Sequence, residues 1–325
     1  MTTFLPLLGG LVLLVLGGEL LVRGSVNVAS RLGVSPLVIG LTLVGFGTST
    51  PELVTSVQAS LAGAPGIAYG NIVGSNIANI LLILGVATII LPIAVESRTL
   101  KRDGLVMIGV AVAFAAMAAT MPAGRLVGAV FLAALAAYIY TAFRQESRSA
   151  GDHGAVYDKS FAAQEVDPAL VPAASSTGAL VVPLLTAVAG LAIVVLGGHL
   201  LVGGAVGLAR SFGISETVIG LTIVAIGTSM PELVTSVMAA LRKQTDVAFG
   251  NIIGSNIYNI LGIGGATALI APTDVPQEIV TSDNLVMIAV SVLVIAFAWT
   301  GRRISRWEGV VLLAGYVGYV WLIWP

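Results

Sequence analysis

Apolar residues along this 325-residue chain gather into ten long runs, near 4–22, 34–62, 66–92, 104–121, 126–143, 180–202, 214–241, 246–271, 284–300 and 308–324. A helix crosses a hydrocarbon core of roughly 30 Å with about 20 such residues, so the pattern predicts an all-α polytopic membrane protein. The first run has no basic start and no Ala-x-Ala-like site after it, so it reads as a retained helix and not a signal peptide. Charge is sorted by these runs. The loops after odd-numbered runs hold 13 of the 15 basic residues, among them Arg23, Arg31, Arg98, Arg102, Arg148 and Lys159, and only Arg125 and Arg210 lie opposite. The positive-inside bias places those loops in the cytoplasm and both termini outside.

The chain also repeats itself. At a constant offset of 180 residues, 35–85 and 215–265 share 32 of 51 residues, with GLT, GTS, PELVTSV, GN and GSNI in register in both copies. The match extends to Gly17-Gly18 with Gly197-Gly198, and to Asp103 with Asp283. Each copy holds five runs, an odd number, so the second enters the membrane in the opposite sense. The expectation is ten transmembrane helices as two inverted five-helix repeats, 1–143 and 180–325, a plan of secondary transporters whose sites lie at midplane where helices break. Between them, 144–179 is the one long polar stretch, with Asp152, Asp158, Glu165, Asp167, Pro168 and Pro172. It reads as a flexible cytoplasmic linker, too short and polar for a folded regulatory domain.

Polar residues inside the apolar runs carry the chemistry. GFGTSTPELVTS and AIGTSMPELVTS interrupt runs two and seven, and Pro51 and Pro231 each remove a backbone N–H and crowd the carbonyl four residues back. Such a break frees carbonyls that a lipid-embedded helix has to satisfy, although a kink without function is an equal reading. One residue beyond each proline stands an acid, Glu52 and Glu232. A carboxylate near the bilayer centre costs about 2.5–3.5 kcal/mol on insertion scales, and no basic residue lies within either run to pair with it. Facing carboxylates raise each other's pKa unless a cation or a proton sits between them. Thr48, Ser49 and Glu52 fall on one face of a turn, as do Thr228, Ser229 and Glu232. Asn71, Ser75 and Asn79 form a stripe at every fourth residue, and Asn251, Ser255 and Asn259 repeat it. Any one of these could simply bond across helices. Together they offer only oxygen ligands and amides, the preference of hard cations such as Ca²⁺. Gly70, Gly74, Gly250 and Gly254 beside the stripes would let runs two and three, and seven and eight, approach closely.

Composition narrows the classes further. With 57% hydrophobic and 10% charged residues the chain cannot cover a water-soluble surface. It has no cysteine, which excludes disulfides and thiolate metal sites, and a net charge of −1 gives no reason to invoke nucleic acid. No histidine lies near the buried acids, which argues against a membrane hydrolase, and the proline-closed cage reads as an occluding site and not a channel.

The blocks GTSTPELVTSV with GNIVGSNIANI, and GTSMPELVTSV with GNIIGSNIYNI, resemble the paired alpha repeats of the sodium/calcium exchanger group in the cation/calcium exchanger superfamily. The resemblance spans essentially the whole chain. It implies a transporter and not an enzyme, with Ca²⁺ and Na⁺ alternating at overlapping midplane sites, small inorganic cations as its only partners besides the bilayer, no cofactor, and a monomer sufficient. By motif position Glu52 and Glu232 would be the central carboxylate ligands of the metal. Thr48, Ser49, Thr228 and Ser229 would add hydroxyl or backbone oxygens, Gly45 and Ala225 carbonyls, and Ser75 and Ser255 flanking ligands. Asn79 and Asn259 would be the midplane polar pair. Members of this group often carry an aspartate where Asn259 stands. With amides at both places, two acids balance one Ca²⁺ or two monovalent ions, so H⁺/Ca²⁺ antiport is the alternative to Na⁺/Ca²⁺ exchange.

Overall fold

The computed structural model of the chain describes residues 4–95, 99–146, 154–171 and 180–325. Arg98, Arg148, Asp152 and Pro172, which entered the charge sorting and the linker reading, lie outside those residues. Among the described residues the protein is helical apart from an isolated β-bridge and one two-residue ladder, Ile93–Ala94 antiparallel to Arg303–Ile304, which ties the two halves at their loops.

Among the described residues seven helices are long and apolar enough to cross a membrane: Phe4–Arg31, Pro65–Ile90, Leu100–Thr120, Arg125–Arg144, Val181–Phe212, Val247–Ile270 and Ile279–Trp299. Glu216–Thr228 and Met230–Leu241, bent by 49° at a short break, together make an eighth. The expected runs at 34–62 and 308–324 are helical but are not among these. The first is cut at Thr48 and Ser49, leaving Thr50–Leu61 as a piece of 12 residues. The last, Arg306–Ile323, opens on charge, with Ser305 and Glu308 forming a reciprocal N-terminal cap.

Burial separates the helices into a centre and a rim. Pro65–Ile90 and Val247–Ile270 are the central pair, with 83% of the apolar window of each buried inside the protein, whereas Phe4–Arg31 and Val181–Phe212 bury 33% and 28%. These two outer helices pack against each other through glycines. Gly10 meets Leu201, Gly17 meets Val194 and Gly24 meets Ala187, a falling partner number that makes the pair antiparallel. A Cβ on Gly17 would lie 2.7 Å from the Val194 backbone nitrogen, and one on Gly197 would lie 2.8 Å from that of Leu14. In lipid no hydrophobic force joins helices, and this backbone-to-backbone fit supplies the dispersion energy in its place.

Local irregularities recur at the 180-residue offset. Widened π-helical turns occupy Gly40–Val44 and Gly220–Val224, Asn79–Leu84 and Asn259–Gly264, and Thr99–Asp103 and Ile279–Asp283. Turns of this kind concentrate at functional sites because the extra residue re-aims side chains. A buried bond recurs too. Tyr138 donates to Asp103 at 3.1 Å, and Tyr319 donates to Asp283 at 2.9 Å.

The described middle of the linker departs from expectation. Ala155–Val166 is a helix, followed by the short 3₁₀ turn Pro168–Leu170, and Ala155, Val156, Asp158, Lys159, Ser160, Ala162 and Ala163 are all buried. Its polarity suggested solvent because the sequence does not show which groups are waiting for those side chains. The Ala155 N–H donates to the Asp103 carboxylate at 2.8 Å, so a residue of the transmembrane body satisfies one of the helix's first-turn donors.

The glycine stripes also meet different partners from those expected. Gly70 and Gly74 admit residues 217–221 of the opposite repeat, with a Cβ on Gly70 placed 2.9 Å from the Gly220 Cα and one on Gly74 placed 2.6 Å from the Leu221 Cα. Gly250 and Gly254 instead admit the linker helix, at Asp158 and at Ala155 and Lys159. The close approaches are between repeats and to the linker, not within a repeat.

Candidate cation site

Each GTS-x-PE block breaks its helix just before the acid. Ser49 and Ser229 lead the new helices with φ of −89° and −82°, and the prolines occupy the first turn, where a backbone N–H has no helical partner anyway. Pro51 and Pro231 thus open helices and do not kink one mid-course. Glu52 and Glu232 fall in those first turns, where the helix dipole favours negative charge. Both are 1% exposed.

The hydroxyls reach across the repeats. Ser49 Oγ donates to Glu232 Oε1 at 2.7 Å and Thr48 Oγ1 donates to the same oxygen at 3.1 Å. Ser229 Oγ donates to Glu52 Oε1 at 3.0 Å. Spacing along one helix had grouped each acid with its own Thr and Ser. The break turns those hydroxyls toward the acid of the other copy. Thr228 breaks the pattern, since its hydroxyl bonds Asn71 Oδ1 at 2.9 Å and the Val224 carbonyl at 3.0 Å.

The stripes divide into braces and unpartnered oxygens. Asn71 donates to Ser56 Oγ at 2.9 Å and to the Glu52 carbonyl at 3.2 Å, while Asn251 donates to Thr235 and Ser236 hydroxyls at 2.9 and 2.8 Å. Asn79 Nδ2 bonds Asn256 Oδ1 at 3.0 Å, so Asn79 finds Asn256 and not Asn259 as its side-chain partner. The Ala225 carbonyl accepts from the Ser229 N–H at 3.0 Å, which occupies it within its own helix. Gly45 is buried, close to Val156 of the linker helix. Buried oxygens without a hydrogen-bond partner among the described residues include Glu52 Oε2, Glu232 Oε2, Ser75 Oγ, Asn79 Oδ1, Asn251 Oδ1 and Asn259 Oδ1. An unpaired buried oxygen costs about 1–3 kcal/mol. These six lie on the broken helices and the central pair.

One side chain in this centre was missed from sequence. Lys159, fully buried, donates to Ser255 Oγ at 2.6 Å, to Thr48 Oγ1 at 2.9 Å, and to Ser49 Oγ and Glu232 Oε1 at 3.2 Å each. The expectation that no basic residue pairs with the acids therefore fails for Glu232. Sorting charges by loop had counted Lys159 as a solvated cation. The signal available was weak: a lone lysine amid small and apolar residues in AVYDKSFAA, at helical spacing from Ala155 and Ala163. Beside this centre a cavity of about 260 Å³ runs between Val22 of the outer helix, Thr48, Pro51, Pro231 and Thr235 of the broken helices, and Ala163 of the linker helix.

The family model described as sodium/calcium exchanger protein matches residues 2–144 and 182–324, nearly the whole chain apart from the linker. The chain belongs to the sodium/calcium exchanger family. The sodium/calcium exchanger MaX1 of Methanosarcina acetivorans is 38% identical over 342 residues, covering 98% of this chain and 97% of that one. The inner membrane protein YrbG of Escherichia coli is 36% identical over 321 residues, covering 97% and 94%. Among solved structures, the sodium-calcium exchanger NCX_Mj soaked with Na⁺ and Sr²⁺ superposes with a TM-score of 0.62 at 32% identity, over 98% of each chain. This exchanger-family chain thus shares both halves of the fold with its relatives, while Lys159 and its helix fall in the 145–181 interval that the family model leaves out.

Proposed function

We propose that the protein is a secondary active antiporter that exports Ca²⁺ in exchange for Na⁺ by alternating access, in a multi-pass arrangement of ten helices as two inverted repeats. The antiparallel packing of Phe4–Arg31 against its repeat counterpart Val181–Phe212 supports the inversion. So do the π-helical turns at matched offsets. The YrbG relative is an inner membrane protein by its own description, consistent with the same location here. The sorting of basic loops favours termini on the outside.

The observation that carries the reading is the cross-repeat cage. Each buried glutamate takes a hydroxyl hydrogen bond from the opposite copy and keeps one oxygen without a hydrogen-bond partner among the described residues, and apart from the Lys159 ammonium their surroundings supply hydroxyls and amides. A cation seated there would touch both halves at once, so its binding decides how the halves meet. We infer that Glu52 and Glu232 are the principal ligands, with Thr48, Ser49, Ser229, Ser75 and Ser255 around them and the amide oxygens of Asn79 and Asn259 at the rim. Two carboxylates neutralise one Ca²⁺ or two Na⁺. A bare pair resists occlusion, because closing would strip water from two uncompensated charges. That rule makes transport an exchange and not a leak.

The test is transport in liposomes. With Na⁺ loaded inside, an outward Na⁺ gradient drives ⁴⁵Ca²⁺ uptake, and collapsing the gradient stops it. Uptake that follows a pH gradient and ignores Na⁺ would replace Na⁺/Ca²⁺ exchange by H⁺/Ca²⁺ antiport at the same site.

A further inference from the structure

The 180-residue offset relates two oxygen sets around the acids, which differ at Thr228, whose hydroxyl turns to Asn71 and the Val224 carbonyl. Thr48, Ser49, Glu232 and Ser255 form one; residues 180 positions away, Thr228, Ser229, Glu52 and Ser75, form the other. Lys159 Nζ lies within 3.2 Å of an oxygen from every member of the first set. In the second set Ser75 Oγ and Glu52 Oε2 have no hydrogen-bond partner among the described residues. A lysine ammonium is a compact, strongly hydrated monovalent cation that donates in three directions. Its four oxygen partners are those a metal ion would use there.

The helix that delivers it is seated in a built groove. Gly40 faces Ser160, with a Cβ there placed 2.9 Å from Ser160 Oγ, and Gly45 faces Val156. On the opposite wall Gly250 and Gly254 face Asp158, Ala155 and Lys159. The symmetric helices make direct contact, Gly70 and Gly74 against 217–221, so the linker helix fills a cleft that its counterpart closes. Its ends are fastened outside the site. Asp103 accepts the Ala155 N–H, Asp167 pairs with Arg23 of the outer helix at 2.6 Å, and Glu165 pairs with Arg242. Exposed or half-exposed ion pairs of this kind hold weakly, as a releasable clasp requires.

We propose that Ala155–Val166 is an internal plug and that Lys159 is a tethered cation, which occupies one of two ion subsites and holds the linker-side entrance shut. With Lys159 in place the two glutamates retain one net negative charge, enough for a single monovalent ion. A divalent ion needs the lysine out. Release of the plug opens the cleft and frees the second carboxylate in one movement, so the plug competes directly with Ca²⁺. Because Arg23 lies on the outer helix Phe4–Arg31, movement of that helix pulls on the clasp at Asp167.

This proposal rests on the cation-site reading above, and two measurements keep the two separable. In liposomes, Lys159→Gln lowers the apparent KM for Ca²⁺ at the linker face by about tenfold if the plug is seated in nine molecules of ten. An unchanged or raised KM in a folded variant overturns the plug. The second measurement does not need transport. The chain has no cysteine, so Ala163→Cys places a single thiol on the buried face of the linker helix. Without Na⁺ or Ca²⁺ a water-soluble maleimide modifies it slowly, and saturating Ca²⁺ raises the rate by about the same factor. A rate indifferent to Ca²⁺ overturns the plug whether or not Na⁺ drives transport. Absence of Na⁺-driven uptake in both wild type and Lys159→Gln, with Ca²⁺-sensitive labelling retained, removes the exchange reading and leaves the plug standing.

Discussion

At the scale of single residues, the two glutamates are matched in sequence and unmatched in surroundings. Glu232 receives two hydroxyls and an ammonium, while Glu52 receives the Ser229 hydroxyl. On the proposed reading both acids hold Ca²⁺, so Glu52→Gln and Glu232→Gln should each abolish ⁴⁵Ca²⁺ uptake in protein that still elutes as a folded species; uptake by either would remove it from the site. Their effects on the linker should differ. Only Glu232→Gln strips Lys159 of its carboxylate, leaving a buried charge that escapes by unseating the helix. In an Ala163→Cys background, maleimide labelling without Ca²⁺ should accelerate for Glu232→Gln and stay slow for Glu52→Gln. Asn71 is a different kind of residue. It ties Glu52, Ser56 and Thr228 together, and Asn71→Ala should lower stability by about 1–3 kcal/mol through the polar groups it strands, read as a drop in thermal unfolding temperature in detergent.

At the scale of elements, the broken helices show why spacing alone misled in one respect. Thr48, Ser49 and Glu52 share a face only while the helix is continuous. The new helix begins at Thr50, with Ser49 outside it, so the hydroxyls and the acid belong to different segments and point at different partners. Proline falls where the first-turn N–H is unpaired, so Pro231→Ala should cost little, within about 1 kcal/mol, and calorimetric unfolding close to wild type would agree with that placement. A larger loss would mean the ring itself holds the bend. The linker helix is the other lesson. Its twelve residues carry too little apolar surface to announce a packed element, and twelve-residue helices are marginal alone. Its burial comes from glycines at 40, 45, 250 and 254, in distant parts of the sequence.

At the scale of the molecule, the outer antiparallel pair and the central bundle present two kinds of interface. Within the pair, glycine after glycine admits the partner's backbone; toward the bundle, contacts are side chains such as Val22 against Gly47 and Val54 against Gly198. Close backbone packing moves as one body, and looser side-chain contacts slide. On that difference we expect the pair to move as one body during transport. A disulfide between Val54→Cys and Gly198→Cys, which joins pair to bundle, should arrest transport until reduced. A flexible bifunctional thiol cross-linker between Phe4→Cys and Phe212→Cys, whose native rings lie 6.4 Å apart within the pair, should leave it running. Arrest by the second and not by the first would place the sliding surface inside the pair.

The membrane class, the duplicated halves, the two buried acids and the hydroxyls and amides near them were legible in the sequence. Each is local or periodic: hydropathy over twenty residues, identity at one offset, a charge where lipid makes charge costly. Which hydroxyl serves which acid, that Asn79 pairs with Asn256, and that a linker lysine enters the cage depended on the fold. Those facts join residues 73 to 184 positions apart, and a buried lysine is recognised only by the partners that compensate it. In the sequence Lys159 is one loop charge among thirteen; in the folded protein those partners are Glu232 and three hydroxyls.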